Sequence, residues 1–369
     1  MFAENWKISL RQIRRLLILD LFGMSSLMLP GIFTSLTGAD GIFCLLLGMA
    51  AGAVLLWLMG KNLKHIKTDY YSYMKETAGQ FLGDVCMVFY FLYFVTLCGY
   101  VLYQLTTLAL SWLLPDGSWM EVGLLLLLLA VYGSIRGIEG RARVYEIIFW
   151  FLGIPLLLML VFAMGDVRTA YWTPIVTSDG VQFAQGSLAV LVFLLPMTVL
   201  LFLKPFCQKP EKITSSGTVA LWTVILMNVL IYLILLGIFG TNAMGVLKRP
   251  VITLMGMVKL PGGFFTRQDV LMTAVWVFAL FALLNTGIFQ STLILQNLSQ
   301  KPGNRWSLWL VAVLTFILGK SFFEHSFLIE IFKSYQVFVA LPGMFFILVF
   351  LLLLHQIRAR RTLQKGGDF

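Results

Sequence analysis

Charged residues are scarce in this chain of 369 residues, and acidic residues are scarcer than basic ones. Asp, Glu, Lys and Arg together make up 12% of the sequence, with 17 acidic against 27 basic side chains. A typical soluble domain carries about 25% charged residues. The low share of charge excludes an ordinary soluble globular domain.

Residues that carry catalytic or metal chemistry are also few. The chain has three histidines and four cysteines. Neither a CxxC pair nor an HExxH arrangement is present, and the sequence contains no P-loop and no dinucleotide-binding glycine motif. We therefore expect no cofactor, no metal site, no catalytic residues and no enzymatic activity.

Apolar residues are present in excess. They make up 59% of the chain, and the mean hydropathy is +0.89. These values indicate an integral membrane protein whose surroundings are the lipid bilayer. The net charge of +10 does not indicate nucleic-acid binding, because the basic residues lie in the short links between apolar runs and act there as topology signals.

Ten apolar segments are candidates to cross the membrane, and together they predict one polytopic domain over residues 1–369. Lipid offers no hydrogen-bond partner to the backbone, so unbroken apolar runs of this length must be helices. The fold class is therefore an all-α membrane protein. The predicted spans are residues 13–36, 39–60, 80–111, 120–135, 143–165, 184–206, 214–240, 268–298, 306–320 and 335–357.

The distribution of Lys and Arg predicts the orientation. Most of the 27 basic residues fall in links that share one side of the membrane if the N-terminus is cytoplasmic. With ten spans, both termini then lie in the cytoplasm. The long outward link between Gly240 and Asp269 either folds over the outer vestibule as a lid or forms a surface hairpin.

Two spans carry polar or helix-breaking residues at comparable depth. Span one reads "LDLFGMSSLMLPG" at residues 19–31, and span six reads "VFLLPMTVLLFLKP" at residues 192–205. Each is the first span of a five-span half, about residues 13–165 and 184–357. Broken helices at matching positions of two halves are typical of inverted-repeat transporter folds, in which the breaks bind a small polar ligand. The same residues are also common as packing faces and kinks in membrane helices.

The predicted ligand-binding residues follow from these two breaks and from the spans that would face them. Tyr93 of span three and Asn285 of span eight are the candidates outside the breaks, although Asn285 suits interhelical hydrogen bonding equally well. The full set is Gly23, Met24, Ser25, Ser26, Phe193, Leu195, Pro196, Met197, Thr198, Tyr93 and Asn285.

Three further charged side chains have two interpretations each. Asp20 and Lys204 could pair as an inner gate between spans one and six. Alternatively, Lys204 extends to the membrane interface, and Asp20 is neutral or pairs with Arg14 or Arg15. Glu146, a turn into span five, is expected to form interfacial ion pairs, and the alternative is a proton carrier.

Several motifs resemble the spore germination permeases, the B subunits of nutrient germinant receptors. They are "FGMSSLMLP", "RGIEGRARVYEIIF", "WTPIVTSDG", "GGFFTRQDVLMTAVWV" and "SYQVFVALPGMFFILVF", in that order, and the resemblance runs from about Ile8 to about Arg361. That family belongs to the amino acid, polyamine and organocation transporter superfamily. The resemblance therefore implies a LeuT-type fold of ten helices in a 5+5 inverted repeat, with helices 1 and 6 broken.

The resemblance also implies a function and its setting. The expected function is sensing of a small, amino acid-like nutrient in the spore inner membrane, beside A-type and C-type receptor subunits. The chain departs from the family pattern in both breaks. Ser25 stands where the family often has a second glycine, and Leu195 and Met197 stand where it commonly has a glycine and a glutamate.

Two functions from different classes remain open. One is a receptor subunit that binds a nutrient at the breaks and signals to partner subunits. The other is a secondary amino acid transporter coupled to protons or sodium. A scaffold that binds no ligand is a third, weaker reading. One fold serves all of them, so the fold cannot decide.

Overall fold

The structure, a computed structural model, describes residues 7–173, 178–247, 249–258, 268–301 and 303–366. Side chains are described throughout these ranges except at residues 268–272 and 359–366. Regular structure in these ranges is helical apart from an isolated parallel bridge between Ile8 and Cys207. The α-helices are α1 (Leu10–Leu36), α2 (Gly41–His65), α3 (Tyr70–Ala78), α4 (Gln80–Trp112), α5 (Trp119–Ile135), α6 (Gly137–Ala163), α7 (Gly180–Leu194), α8 (Val199–Leu203), α9 (Ile213–Val246), α10 (Pro250–Met257), α11 (Gln268–Leu298), α12 (Arg305–Glu324), α13 (Ser326–Tyr335) and α14 (Leu341–Gly366).

All ten predicted spans correspond to helical segments in the described part of the chain. Nine segments are long and apolar enough to cross a membrane, and α5, at 17 residues, is a shorter apolar helix. Span six combines α7 and α8, and span ten combines α13 and α14. The expected all-α membrane class is confirmed.

Helix α1 forms the centre of the bundle. Its apolar window is 83% buried, whereas that of α6 is 28% buried. It packs against α6, α7, α9 and α11, while α4 packs against α11 and α12. A lipid-facing helix needs only apolar side chains. A helix with protein on every side can carry polar groups, because neighbouring helices satisfy them.

The start of α1 is specified by a capping box. Ser9 accepts a hydrogen bond from the Gln12 backbone, and the Gln12 side chain accepts one from the backbone N–H of Ser9. Just before this cap, Ile8 N–H donates to Phe206 O at 2.7 Å, and Gln208 N–H donates to Ile8 O at 3.0 Å. The N-terminal segment is thereby joined to the end of span six.

The link after span seven is partly helical. Helix α9 bends at Gly240, whose φ of 67° is in the left-handed region that glycine tolerates. Helix α10 follows and packs against α1, α9 and α11. Residues 248 and 259–267 of this link lie outside the described ranges, so the lid remains a prediction.

Span ten contains a feature that the sequence pattern did not predict. Between α13 and α14, residues Gln336–Ala340 form a π-helical turn. This turn packs against α7 of span six. π-Turns widen a helix locally and are frequent at functional sites.

Candidate functional site

Span six is interrupted where the sequence predicts. Helix α7 ends at Leu194, and residues 195–198 form a 3₁₀ turn before α8 begins. Pro196 causes the change because it has no N–H to continue the α-helical ladder. The Thr198 hydroxyl donates to the Leu195 carbonyl at 2.8 Å. All four residues of the turn are buried, so the interruption is closed in this structure.

Span one is not interrupted, and the predicted break at Gly23, Met24, Ser25 and Ser26 is wrong. Helix α1 runs without a break through these residues. Ser25 Oγ donates to the Leu21 carbonyl and Ser26 Oγ to the Phe22 carbonyl, each at 2.7 Å. Serine hydroxyls can bond to the carbonyl four residues earlier, and in that way polar residues stay within a membrane helix.

The same two hydroxyls link α1 to its neighbours. Ser25 Oγ accepts from Asn228 Nδ2 of α9, and Ser26 Oγ accepts from Trp276 Nε1 of α11, both at 3.0 Å. All four side chains are buried. These contacts hold α1 between α9 and α11 and are interhelical hydrogen bonds in the usual membrane-protein sense.

Gly23 lies where α1 and α11 approach each other closely. A Cβ atom at this position would lie 2.8 Å from Ala279 Cβ and 3.0 Å from the Ala279 carbonyl carbon. Gly23 therefore serves close helix packing in this structure and leaves no space for a ligand. Met24 beside it is buried at 4% exposure.

A buried charged cluster lies next to this contact. Thr286 of α11 donates from Oγ1 to Asp20 Oδ1 of α1 at 3.0 Å, and Arg141 of α6 donates from Nη2 to the same Thr286 oxygen at 2.6 Å. The three residues are at most 3% exposed. Asp20 Oδ2 and Arg141 Nε have no hydrogen-bond partner among the described residues. One hydroxyl thus relays a hydrogen bond between a carboxyl group and a guanidinium on three different helices.

Asn285 precedes Thr286 in α11 and bonds to two other helices. Tyr145 donates from its hydroxyl to Asn285 Oδ1 at 3.1 Å, and Asn285 Nδ2 donates to the Ala130 carbonyl at 2.6 Å. The amide therefore joins α5, α6 and α11 by hydrogen bonds. This is the interhelical interpretation of Asn285, and the structure does not place the amide at the interruption of span six.

Asp20 and Lys204 are not brought together, so the structure does not contain the inner gate. Lys204 Nζ donates to the carbonyls of Leu63 and Ile66, at 2.5 Å each. These carbonyls lie at and just after the end of α2, where a cation is favourable. Asp20 contacts Thr286 instead.

Glu146 does form the expected ion pairs. Its carboxylate accepts from Arg15 at 2.8 Å and from Arg11 at 3.1 Å. Its side chain keeps 22% exposure, as suits the interface. Arg15 therefore pairs with Glu146 and not with Asp20.

Two other predicted residues lie on α4 and at the end of α7. Tyr93 of α4 is fully buried, and its hydroxyl has no partner among the described residues. Phe193 in the last turn of α7 is half-buried. Helix α4 reaches span six through aromatic contacts, since Tyr90 and Phe94 lie 5.4 and 6.4 Å from the Phe202 ring of α8. Gln336 in the π-turn is 4% exposed and also leaves its Oε1 unpartnered among described groups.

Comparison with known proteins assigns the family. Residues 7–327 match the family model described as "Spore germination protein". The chain belongs to the spore germination protein family.

Curated members of the spore germination protein family from Bacillus subtilis (strain 168) cover most of the chain at low identity. Spore germination protein YndE is 22% identical over 311 residues, 82% of this chain and 84% of that protein. Spore germination protein B2 is 22% identical over 324 residues, 88% of this chain and 87% of that protein. Spore germination protein KB is 31% identical over 147 residues, 40% of this chain and 39% of that protein.

Solved structures relate this spore germination protein to transporters by fold. Mhp1, a nucleobase-cation-symport-1 family transporter in a closed conformation, matches with a TM-score of 0.64 and 12% identity, over 85% of this chain and 71% of that chain. A Na⁺-coupled sialic acid symporter matches with the same TM-score and identity, over 93% of this chain and 79% of that chain. The LeuT-type fold is therefore confirmed, with an unbroken first helix in this chain.

The sequence reasoning missed four residues of this spore germination protein: Arg141, Asn228, Trp276 and Gln336. Arg141 follows Arg136 and precedes Arg143, so it was counted among the basic residues of a link. Helix α6 begins at Gly137, six residues earlier than predicted, and this start brings Arg141 inside the bundle. A single Asn or Gln within an apolar run, such as Asn228, is a usable sequence signal for such contacts between helices.

Proposed function

We propose that this chain is the membrane-embedded subunit of a nutrient germinant receptor and that a small nutrient binds at the interruption of span six. The observation that carries the proposal is the buried turn at residues 195–198, in a member of the spore germination protein family. The turn packs against α1, and α7 before it packs against the π-turn of span ten. Two irregular helices thus meet at the interior, which is where transporter-like folds bind ligands.

The chemistry of this region suits a ligand without strong net charge. Met197 and Leu195 offer no counter-charge for an ammonium group, and the hydroxyls of Ser25 and Ser26 are already bonded to other groups. The Tyr93 hydroxyl has no partner among the described residues, and the Thr198 hydroxyl is bonded only within its own turn, to the Leu195 carbonyl. These two hydroxyls and the carbonyls of the turn are the polar groups that we assign to the ligand. We infer a small zwitterionic or uncharged nutrient as the ligand class.

Binding must separate helices, because the turn is fully buried. A ligand that fits only the opened arrangement shifts the population toward it. In the proposed receptor this opening moves span six away from the N-terminal segment, to which it is bonded at Phe206 and Gln208. We propose that A-type and C-type subunits bind this chain and change their own state when span six moves. The chain would lie in the spore inner membrane with both termini on the core side.

The test uses spores that lack this chain. Nutrient-triggered dipicolinic acid release is measured across amino acids, nucleosides and sugars, and selective loss of one response is expected. Complementation with Tyr93→Phe or Thr198→Val should raise the nutrient concentration for half-maximal release by about 2- to 10-fold, as expected for one lost hydrogen bond.

The control variant is Thr218→Val. The Thr218 hydroxyl bonds to the Thr214 carbonyl of its own helix at 3.1 Å on an exposed face, so the response should not change. Unchanged release to every nutrient in spores without the chain would contradict the receptor proposal.

Asp20 favours a second candidate function, proton-coupled solute transport. This carboxyl group is 1% exposed and lies about 7.5 Å along α1 beyond Arg15, whose ion pair with Glu146 is at the interface, so it lies within the apolar part of the span. Ionisable groups at such depth often serve ion pathways. Uptake of the identified nutrient into proteoliposomes under a pH gradient, abolished by Asp20→Asn, would support transport, whereas binding without uptake would favour the receptor.

A further inference from the structure

A large cleft lies away from the interruption of span six, between α5, α6 and α11. Its volume is about 1050 Å³, at the upper end of the sizes usual for small-molecule sites. Most of its wall is apolar, with Leu126 and Leu129 from α5, Ile148 from α6 and Phe281 from α11. The cleft is therefore a groove for an apolar ligand.

The helices around the cleft face the bilayer. Leu125 of α5 is 66% exposed, and Ile147 and Phe151 of α6 are 72% and 59% exposed. In a membrane-spanning bundle such side chains contact lipid tails. The groove between them opens sideways to lipid, and lipid is the molecule present there at the highest concentration.

One end of the cleft is basic. Arg136, between α5 and α6, and Arg143, in the second turn of α6, line this end, and both are exposed. Arg136 Nη2 donates to the Tyr132 hydroxyl at 2.6 Å, and Arg143 lies 3.6 Å from Glu139. Glu139 also accepts a hydrogen bond from the Lys7 backbone N–H at 3.1 Å. The rim keeps a net positive charge at the face of the bundle that carries the N-terminal segment.

We propose that this cleft binds an anionic phospholipid, with an acyl chain between α5 and α11 and the phosphate on Arg136 and Arg143. Guanidinium groups hold phosphate oxygens through paired, charge-assisted hydrogen bonds. Basic residues at the membrane surface select anionic headgroups. The apolar wall and the basic rim together match the two parts of one lipid molecule.

The lipid site adjoins the buried charged cluster. Tyr145 and Asn285 form part of the cleft wall, and Arg141, which bonds to Thr286, lines it as well. A bound acyl chain packs directly against side chains that join α5, α6 and α11. Occupancy of the cleft therefore stabilises the present spacing of these helices.

The test places a photo-crosslinking amino acid at Leu129, which lines the cleft and is 51% exposed. Leu158 of α6 is the matched control, because it is 48% exposed and does not belong to the cleft wall. The full chain is irradiated in membranes that contain phosphatidylglycerol and phosphatidylethanolamine. It is then purified as a monodisperse peak, and intact mass spectrometry identifies the adducts.

The expected result is phosphatidylglycerol enrichment at Leu129 over Leu158 by about fivefold or more, as two arginines near a membrane surface allow. Arg136→Gln combined with Arg143→Gln should abolish the enrichment, while Lys64→Gln, an exposed basic residue of α2, should leave it unchanged. Equal lipid composition at both positions would overturn the proposal. A protein adduct at Leu129 would overturn it too, because the occupant would then be a partner chain.

Discussion

Replacing Thr286 by valine tests the relay between Asp20 and Arg141. Valine keeps the shape of threonine but has no hydroxyl, so Arg141 Nη2 and Asp20 Oδ1 lose their bonds of 2.6 and 3.0 Å together. A buried polar group without a partner costs about 1–3 kcal/mol, and more when it is charged. Two such groups predict a loss of about 2–6 kcal/mol.

Thermal unfolding of the detergent-purified protein measures this loss. At about 2 °C per kcal/mol, the lower end of the range for smaller domains, the midpoint should fall by about 4–12 °C. Thr286→Ser keeps the hydroxyl and is the matched control, with a fall of no more than about 2 °C.

A triple variant separates the relay from packing. Thr286→Val combined with Asp20→Leu and Arg141→Met replaces the polar groups by apolar ones of similar size, which is often neutral or stabilising. The midpoint should return toward that of the original protein. If Thr286→Val is as stable as Thr286→Ser, or if the triple variant is less stable than Thr286→Val, the relay does not hold these helices.

Further predictions concern helix packing, the interruption of span six and the absent gate. Gly23→Ala should lower the unfolding midpoint through overpacking of about 1–3 kcal/mol, and Ala279→Gly should recover part of the loss; an unchanged midpoint would refute the close contact. Pro196→Ala supplies the missing N–H and should favour the closed helix, seen as a weaker nutrient response in dipicolinic acid release. The charge swap of Asp20→Lys with Lys204→Asp should not rescue either single change in the thermal assay, because the two residues have different partners; rescue would restore the gate hypothesis.

The spans could be predicted from sequence because apolar length alone specifies a membrane helix. Pro196 marked span six as a candidate for an interruption because proline cannot donate to the helical ladder. Pro30 and Pro155 lie within uninterrupted helices, so the proline alone does not specify the outcome. The continuity of span one could not be predicted, because a serine either interrupts a membrane helix or bonds to its own turn. The packing of α1 between α9 and α11 determines which of these two arrangements forms. In this structure Ser25 and Ser26 are bonded to their own turn.

The charged cluster could be predicted only in part. Asp20 and Thr286 stand out as polar residues within apolar runs, but their partner Arg141 has the sequence surroundings of a surface residue. Its burial depends on where α6 begins and on how α6 lies against α11. Long side chains brought together from three helices leave no regular spacing in the chain.

The two hydrogen bonds of Ile8 with the end of span six provide a reporter of conformational state. The amide protons of Ile8 and Gln208 are both held in this short bridge, and Ile8 is 1% exposed. Movement of span six away from the N-terminal segment exposes these amides to water. Deuterium uptake in the peptides around residues 8 and 208 therefore follows the opening of this face without any label on the protein, and a fusion partner is better attached at the C-terminus.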